Sequence, residues 1–228
     1  MLPREAEWLL KYAIQKIKNN TTLLNIGSSN KRFIKKIQPH IYHNLIEPLN
    51  QKDVEIINVD IKEDDGVDIV ANILNKNDRE KIKKINYQYI LCSNVLEHVI
   101  ELENFCESLS ELLPEGGYLI ITVPNKYPYH EDPIDTMFRP TINQLQEYFP
   151  NLKLVFGEIV DCGTVKEYEK YKRKINPWVE YIRIIKSFIK KLMPFYKYDQ
   201  WKKNQIKKRD FKANEHYLVT CAIFRKEV

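Results

Sequence analysis

Apolar and polar positions follow two periods along the chain, and the period changes at nearly every Gly or Pro. Over residues 4–18, Trp8, Leu9, Tyr12, Ala13 and Ile17 recur at spacings of three and four, which predicts a helix with one buried face. Residues 21–26 form a short β-branched and apolar run ending at Gly27, a strand followed by a sharp turn. Helical spacing returns over 31–37 and is expected to stop at Pro39. Residues 54–59, 67–70 and 87–92 read as strands, with a helix capped by Asp78 and running to Ile85 before the last of them. A helix over 102–113 is stopped by Pro114, and Gly116 and Gly117 turn the chain into a strand over 118–123, halted by Pro124. A helix over 141–149 and strands over 152–159 and 217–224 complete the series.

Seven strands alternating with helices predict an α/β fold with a mostly parallel sheet covered on both faces. The strands are short and almost wholly apolar, as strands buried on both faces are. No good crossover helix directly precedes the last strand, so that strand is expected to run antiparallel. The whole chain, 1–228, reads as one domain.

Charge changes this picture in one place. Between Lys166 and Lys212 sixteen Lys and Arg stand against five Asp and Glu, while the rest of the chain has twenty against twenty-six. A basic, aromatic-rich helical insert, 164–212, is thus expected before the last strand of a mildly acidic body. Within it, Trp178, Ile182, Ile185, Phe188, Ile189 and Leu192 share one face of a helix over 177–193, opposite Glu180, Arg183, Lys186, Lys190 and Lys191. Three readings compete. The helix packs on the domain or on a second subunit as a homodimer; or 177–201 lies on an anionic membrane surface; or the insert holds a phosphorylated or nucleotide-linked substrate, or nucleic acid. No nucleic-acid motif is present, and nucleic acid is not the expected partner.

The remaining composition excludes several classes. No apolar run reaches the roughly 20 residues that span a bilayer, and the first ten residues carry Arg4, Glu5 and Glu7 instead of an apolar leader. A cytoplasmic protein is expected, with the inner face of the membrane as an alternative through the insert. Cys92, Cys106, Cys162 and Cys221 are scattered, which argues against a zinc site or a disulfide framework.

In a doubly wound sheet, ligands bind at the carboxyl ends of the strands, and the informative residues fall there. Asn25, Gly27, Ser28 and Ser29 follow the first strand, where a glycine permits a sharp turn and close approach to a ligand. Asp60, followed by Ile61, ends the second strand and can accept hydrogen bonds from a ribose diol. Asn72 and Ile73 follow the third, and Ser93-Asn94-Val95-Leu96-Glu97-His98-Val99 follows the fourth.

These segments, in this order over about 22–150, resemble the class I S-adenosylmethionine-dependent methyltransferases, particularly the small-molecule group with a "LEHV" segment. Leu113-Pro114-Glu115-Gly116-Gly117-Tyr118-Leu119 is the next best match. The resemblance implies a Rossmann-like fold, S-adenosylmethionine as cofactor with S-adenosylhomocysteine as product, and methyl transfer to oxygen or nitrogen of a small polar metabolite such as a sugar, a sugar nucleotide or a surface-glycan precursor. It places Asn25, Gly27, Ser28 and Ser29 against the methionine part, Asp60 and Ile61 at the ribose, Asn72 and Ile73 at the adenine, and Asn94 and Val95 beside the sulfonium. The chain departs from the family where an acid is usual at Asn25 and at Asn72, and where glycines are common at Ser29 and Lys31. An RNA methyltransferase and a non-catalytic binding module are the alternatives.

The loop 127–140 after the fifth strand carries His130, Asp132, Asp135 and Arg139 among three prolines and several aromatics. Similar proteins of surface-glycan and small-metabolite gene clusters carry such a His-x-Asp-Pro-x-Asp segment. His130 is the first candidate base for an acceptor hydroxyl and His98 the second. Tyr129, Asp132, Asp135 and Arg139 are candidates for substrate contact, and Asp132 or Asp135 can orient the imidazole and raise its pKa. The spacing of His130, Asp132 and Asp135 matches no metal signature, and no metal is expected.

Overall fold

A computed structural model describes residues 1–28, 34, 37–130, 134–175 and 212–227. Its seven strands are β1 (Thr22–Ile26), β2 (Glu55–Asp60), β3 (Ile69–Val70), β4 (Tyr89–Ser93), β5 (Tyr118–Lys126), β6 (Lys153–Thr164) and β7 (His216–Arg225). They form one sheet in the order β3-β2-β1-β4-β5-β7-β6. The first five strands are parallel to one another, and β7 is antiparallel to both β5 and β6. This is the expected doubly wound, Rossmann-like α/β sheet with an antiparallel last strand.

The period of two divides each central strand between two cores. Leu24 and Ile26 of β1, Ile90 and Cys92 of β4, Leu119, Ile121 and Val123 of β5, and Ala222 and Phe224 of β7 face one side. There they meet α4 (Lys76–Ile82), α5 (Leu102–Leu112) and α6 (Ile142–Glu147). Leu23, Tyr89, Leu91, Ile120, Val219, Cys221 and Ile223 face the other side. That side is covered by α1 (Pro3–Trp8), α2 (Pro39–Ile41), α3 (Glu47–Asn50) and α7 (Val165–Ile175). At roughly 1.5–3 kcal/mol per buried large apolar side chain, this two-sided packing is the main source of stability. All four cysteines are free and buried inside the cores.

Local chemistry corrects several boundaries. The first helix relaxes into a π-helical stretch at Leu9–Ala13 and a 3₁₀ turn at Ile14–Lys16. Pro39 opens α2, because the first helical position needs no N–H donor, and the expected end of the 31–37 helix before it falls largely outside the described residues; α2 then runs through the π-helical Tyr42–Ile46 into α3. The cap of α4 is Asn75, whose side chain accepts from the Asn77 amide, and not Asp78. Asp78 accepts instead from the Asn72 amide and pairs with Lys81. Strand β5 continues through Pro124, because pairing with β4 ends at Thr122 and the missing N–H costs no bond on that side. Strand β6 runs to Thr164, past the expected end at 159, with two register shifts against β7. The expected helices over 31–37 and 177–193 fall largely or wholly outside the described residues, as do the three readings of 177–201. Among the described residues, no helix is long and apolar enough to cross a membrane.

Candidate functional site

Two cavities meet at the carboxyl ends of β1 and β4, and Gly27, Asn94 and His98 line both. The larger, about 640 Å³, runs from the β1 turn past Asp60, Ala71 and Ile73 to Val99 and Phe105. The smaller, about 320 Å³, lies under α1 and the loop after β5, between Glu5, Asn25, Ser93, Glu97, Tyr127, His130 and Tyr168.

The wall between them is built on close contact. Gly27 has φ +76°, and a Cβ there would lie 2.3 Å from Val95 Cγ2. Only glycine lets the turn and residue 95 approach so closely. Asn94 is itself in the left-handed region, φ 53°, held there by its amide donating to the Thr122 carbonyl at 2.8 Å and its side-chain amide donating to Glu5 Oε1 at 2.7 Å.

The larger cavity contains most of the predicted cofactor residues. Gly27, Ser28, Asp60, Ile61, Asn72, Ile73, Asn94 and Val95 all line it. Ser28 Oγ is buried and has no hydrogen-bond partner among the described residues. Asp60 accepts the Lys62 amide on one oxygen at 2.9 Å, so part of its carboxylate shapes the turn. Ile61 stands at the rim, 62% exposed, and Ile73 forms the buried wall. The Asn72 side-chain oxygen accepts the Leu74 amide at 3.0 Å, a local turn bond that leaves it one lone pair for a ligand. Arg79 ties this stretch down, donating to the carbonyls of Ile73 and Leu74 and to Glu111 of α5. Asn25 lines the smaller cavity instead, its amide donating to Asn58 at 2.9 Å. Ser29 lies outside the described residues.

The smaller cavity gathers acids and imidazoles. Glu5 is fully buried. Its Oε1 accepts from Thr122 Oγ1 at 2.6 Å and from Asn94, and its Oε2 accepts the Leu2 amide at 2.8 Å. Glu97, 1% exposed, has one oxygen 3.8 Å from His98 Nε2 and the other, Oε2, without a partner. Burial pushes its pKa up to about 7. His98 Nδ1 donates to the Ile134 carbonyl. His130 Nδ1 donates to Asp135 at 3.1 Å. A carbonyl and a carboxylate can only accept, so both rings keep their lone pair at Nε2. The two rings stand edge to face, 5.1 Å apart.

The loop residues divide differently from expectation. The Asp135 side chain is fully enclosed, accepting from the His130 amide and ring, the Met137 amide, and Arg139 at 2.7 Å. Burial raises its pKa, but Arg139 and these amides more than offset that and hold it below the usual carboxylate range. Asp135 and Arg139, expected at the substrate, line neither cavity: buried together, they fix the loop that presents His130. Tyr129 also lines neither, and Asp132 lies outside the described residues. The pKa of His130 is lowered, not raised: burial outweighs the pull of Asp135.

Glu5, Glu97, Tyr127 and Tyr168 are cavity residues to which the sequence reading gave no role. Glu5 had a signal, because helical spacing puts this acid on the apolar face of Trp8, Leu9 and Tyr12. Glu97 lay inside the quoted segment after the fourth strand.

A doubly wound sheet with adjoining cavities at its switch point defines a nucleotide-type α/β binding fold. The sequence narrows it: residues 2–202 match a family of methyltransferase domains, and the chain belongs to that family. No curated protein sequence matches the chain. Among solved structures, it is similar to the Haemonchus contortus phosphoethanolamine N-methyltransferase 2, bound to phosphomonomethylethanolamine and S-adenosylhomocysteine (13% identity, TM-score 0.53, 99% of this chain and 53% of that one). The chain spans about half the length of that enzyme. Coclaurine N-methyltransferase with N-methylheliamine and S-adenosylhomocysteine (12%, 0.53, 98% and 72%) and the [4+2]-cyclase SpnF (15%, 0.54, 99% and 81%) share the fold.

Proposed function

We propose that this methyltransferase uses S-adenosylmethionine, bound in the larger cavity, to methylate a small, neutral, hydroxyl-bearing acceptor bound in the smaller one. The carrying observation is that the two cavities share one wall, Gly27, Asn94 and His98. That wall is where a methyl group has to pass between two ligands. The cradle fits the cofactor: Gly27 offers backbone where a Cβ would be excluded, Ser28 has an unsatisfied hydroxyl beside it, and Asp60 and Asn72 keep acceptor capacity along the cleft. When bound, the cofactor supplies a methyl group already activated on a sulfonium, so the protein's work is proximity and alignment.

The acceptor cavity supports a sugar-like molecule. Its lining has carboxylates, amides, hydroxyls and two tyrosine rings, and no Lys or Arg among the described residues. That composition suits a ring of hydroxyls. Asp135 holds the His130 ring through Nδ1 and keeps its Nε2 lone pair ready for an acceptor proton; the Ile134 carbonyl does the same for His98. Tyr127, edge-on to His130 and tilted against Tyr217, helps keep water out. The Leu96-Glu97-His98-Val99 segment supports placing the chain in the small-molecule group.

The test is calorimetry with S-adenosylhomocysteine, followed by mass spectrometry of sugars and related polar metabolites incubated with protein and S-adenosylmethionine. Saturable binding and the gain of one methyl on a hydroxyl support the reading. A protein that binds no S-adenosylhomocysteine overturns it.

A further inference from the structure

Glu97, His98 and His130 come from two separate segments of the chain, yet each offers a ligand atom within 4.8 Å of the others. Each lone pair is accounted for. His98 and His130 donate through Nδ1 to fixed acceptors, the Ile134 carbonyl and the Asp135 carboxylate, which leaves both Nε2 atoms as neutral donors of electron pairs. Metal-bound histidines are held in this way, the second ring nitrogen donating to a carbonyl or a carboxylate. The third group, Glu97, is 1% exposed and carries an oxygen without any hydrogen-bond partner. A buried carboxylate oxygen left unpaired is costly unless a cation completes it. Among the described residues nothing does so, and the groove beside it is the smaller cavity.

We propose that Glu97, His98 and His130 bind one divalent transition-metal ion, of the zinc and cobalt(II) type, in the acceptor cavity. Two imidazoles and one carboxylate are the donor set of such ions, and three protein ligands leave coordination positions open. Donors at about 2.1 Å from a tetrahedral ion lie roughly 3.4 Å apart, so side-chain rotation by about an ångström closes the site. Magnesium and calcium, which take oxygen ligands, fit it poorly. The open positions face the cavity that holds the acceptor under the proposed function. The ion is therefore placed to bind an acceptor oxygen and to ease the loss of its proton. With the ion bound, the Nε2 lone pairs of His98 and His130 are ligands and no longer proton acceptors, so the ion would replace the imidazole base of the proposed function. The site rests on its own geometry whether or not that function holds. It also gives the Asp135–Arg139 pair a purpose: the pair sets the orientation of one ligand.

The experiment uses full-length protein stripped with a chelator and titrated with cobalt(II), followed by its visible absorption, and with zinc by calorimetry. One equivalent is expected, with the cobalt spectrum of a low-coordinate nitrogen and oxygen site. Loss of outer-shell partners alone costs 10–100-fold in affinity, so Glu97→Gln and His130→Ala are each expected to weaken binding at least roughly a hundredfold, and Asp135→Asn about tenfold. S-adenosylhomocysteine affinity, read on the same samples, reports that each variant is folded, since Glu97 and His130 do not line the larger cavity. Should Glu97→Gln fail to fold, His130→Ala, on the loop, decides alone. Absence of saturable metal binding in wild-type protein that still binds S-adenosylhomocysteine overturns the ion site and leaves the methyltransferase reading standing. Equal metal affinity in His130→Ala also overturns it.

Discussion

Glu5 Oε1 accepts a hydrogen bond from Asn94 Nδ2 at 2.7 Å, joining the first helix to the turn after β4 across 89 residues. The same oxygen accepts from Thr122 of β5, so one buried acid ties together α1, β4 and β5 where the two cavities meet. Glu5→Ala orphans the buried Leu2 amide and leaves Asn94 and Thr122 with Ser93 Oγ as their remaining side-chain partner. Each orphaned group costs about 1–3 kcal/mol, and a fall in unfolding free energy of at least that size is expected in denaturant titration. Affinity for S-adenosylhomocysteine should drop with it, because Asn94 loses what fixes its left-handed backbone. A variant as stable as wild type would show that these bonds are replaceable by water.

Gly27 is constrained twice, by its φ and by Val95. Gly27→Ala is expected to weaken S-adenosylhomocysteine binding at least roughly tenfold, since left-handed backbone alone costs a residue with a Cβ about 1–2 kcal/mol. Adding Val95→Ala removes the clash but not the backbone strain, and should restore part of the loss. Full restoration would assign the whole effect to the side-chain contact.

Asp60 keeps one carboxylate oxygen free of the turn bond to Lys62. A charge-assisted hydrogen bond is worth about 1.5–3 kcal/mol, so Asp60→Ala should weaken S-adenosylhomocysteine roughly ten- to a hundredfold in calorimetry. Unchanged affinity would remove Asp60 from the cofactor site.

His130→Ala should lower turnover at least roughly tenfold, the low end of what a lost proton acceptor costs, while S-adenosylhomocysteine binds as before. Asp135→Asn acts more broadly. It leaves Arg139, 11% exposed, as a buried charge without its carboxylate, a change that costs about 3–5 kcal/mol. Thermal unfolding should separate the two, His130→Ala shifting little and Asp135→Asn shifting strongly.

His40 is buried between α1 and α7: Nε2 donates to the Met1 carbonyl at 3.1 Å and Nδ1 accepts from the Tyr171 hydroxyl at 3.0 Å. Burial lowers its pKa, against the pull of the Met1 carbonyl, so the folded protein resists protonation there. The unfolded chain takes up that proton near its ordinary pKa of about 6.5. Stability from this group is therefore complete at pH 7.5 and declines as pH falls below about 6.5. The unfolding midpoint of wild type should fall between pH 7.5 and 5.5 by more than that of His40→Gln. Parallel pH profiles would mean that other groups carry the acid sensitivity.

The sheet was legible because its strands are buried on both faces and so read as short apolar runs, but which core Leu23 or Leu24 enters is set by the strand's period of two and not by residue type. The antiparallel β7 followed from the missing crossover helix. Boundaries set by single side chains were not legible: whether Asn75 or Asp78 caps α4, or how far β6 runs past 159, depends on neighbours that the local pattern does not rank. The residues of the larger cavity were readable as a group because they sit at strand ends in chain order. The smaller cavity was not, since Glu5 reaches it from the other end of the sequence. That Asp135 and Arg139 pair was not legible either, because a sequence shows two charged residues in a loop but not that each neutralises the other.

Strand β7 occupies the middle of a ladder whose outer member, β6, is made earlier. Residues 165–215 must leave the ribosome between them, and at about 5–20 residues per second that takes roughly 3–10 s. During that interval β6 has no partner, and β5 presents an open apolar edge of the kind that invites pairing with other chains. Synthesis speed and chaperone capture across residues 165–215 thus bear on the yield of native protein, and codon choice there is a handle on expression separate from any change to the folded molecule.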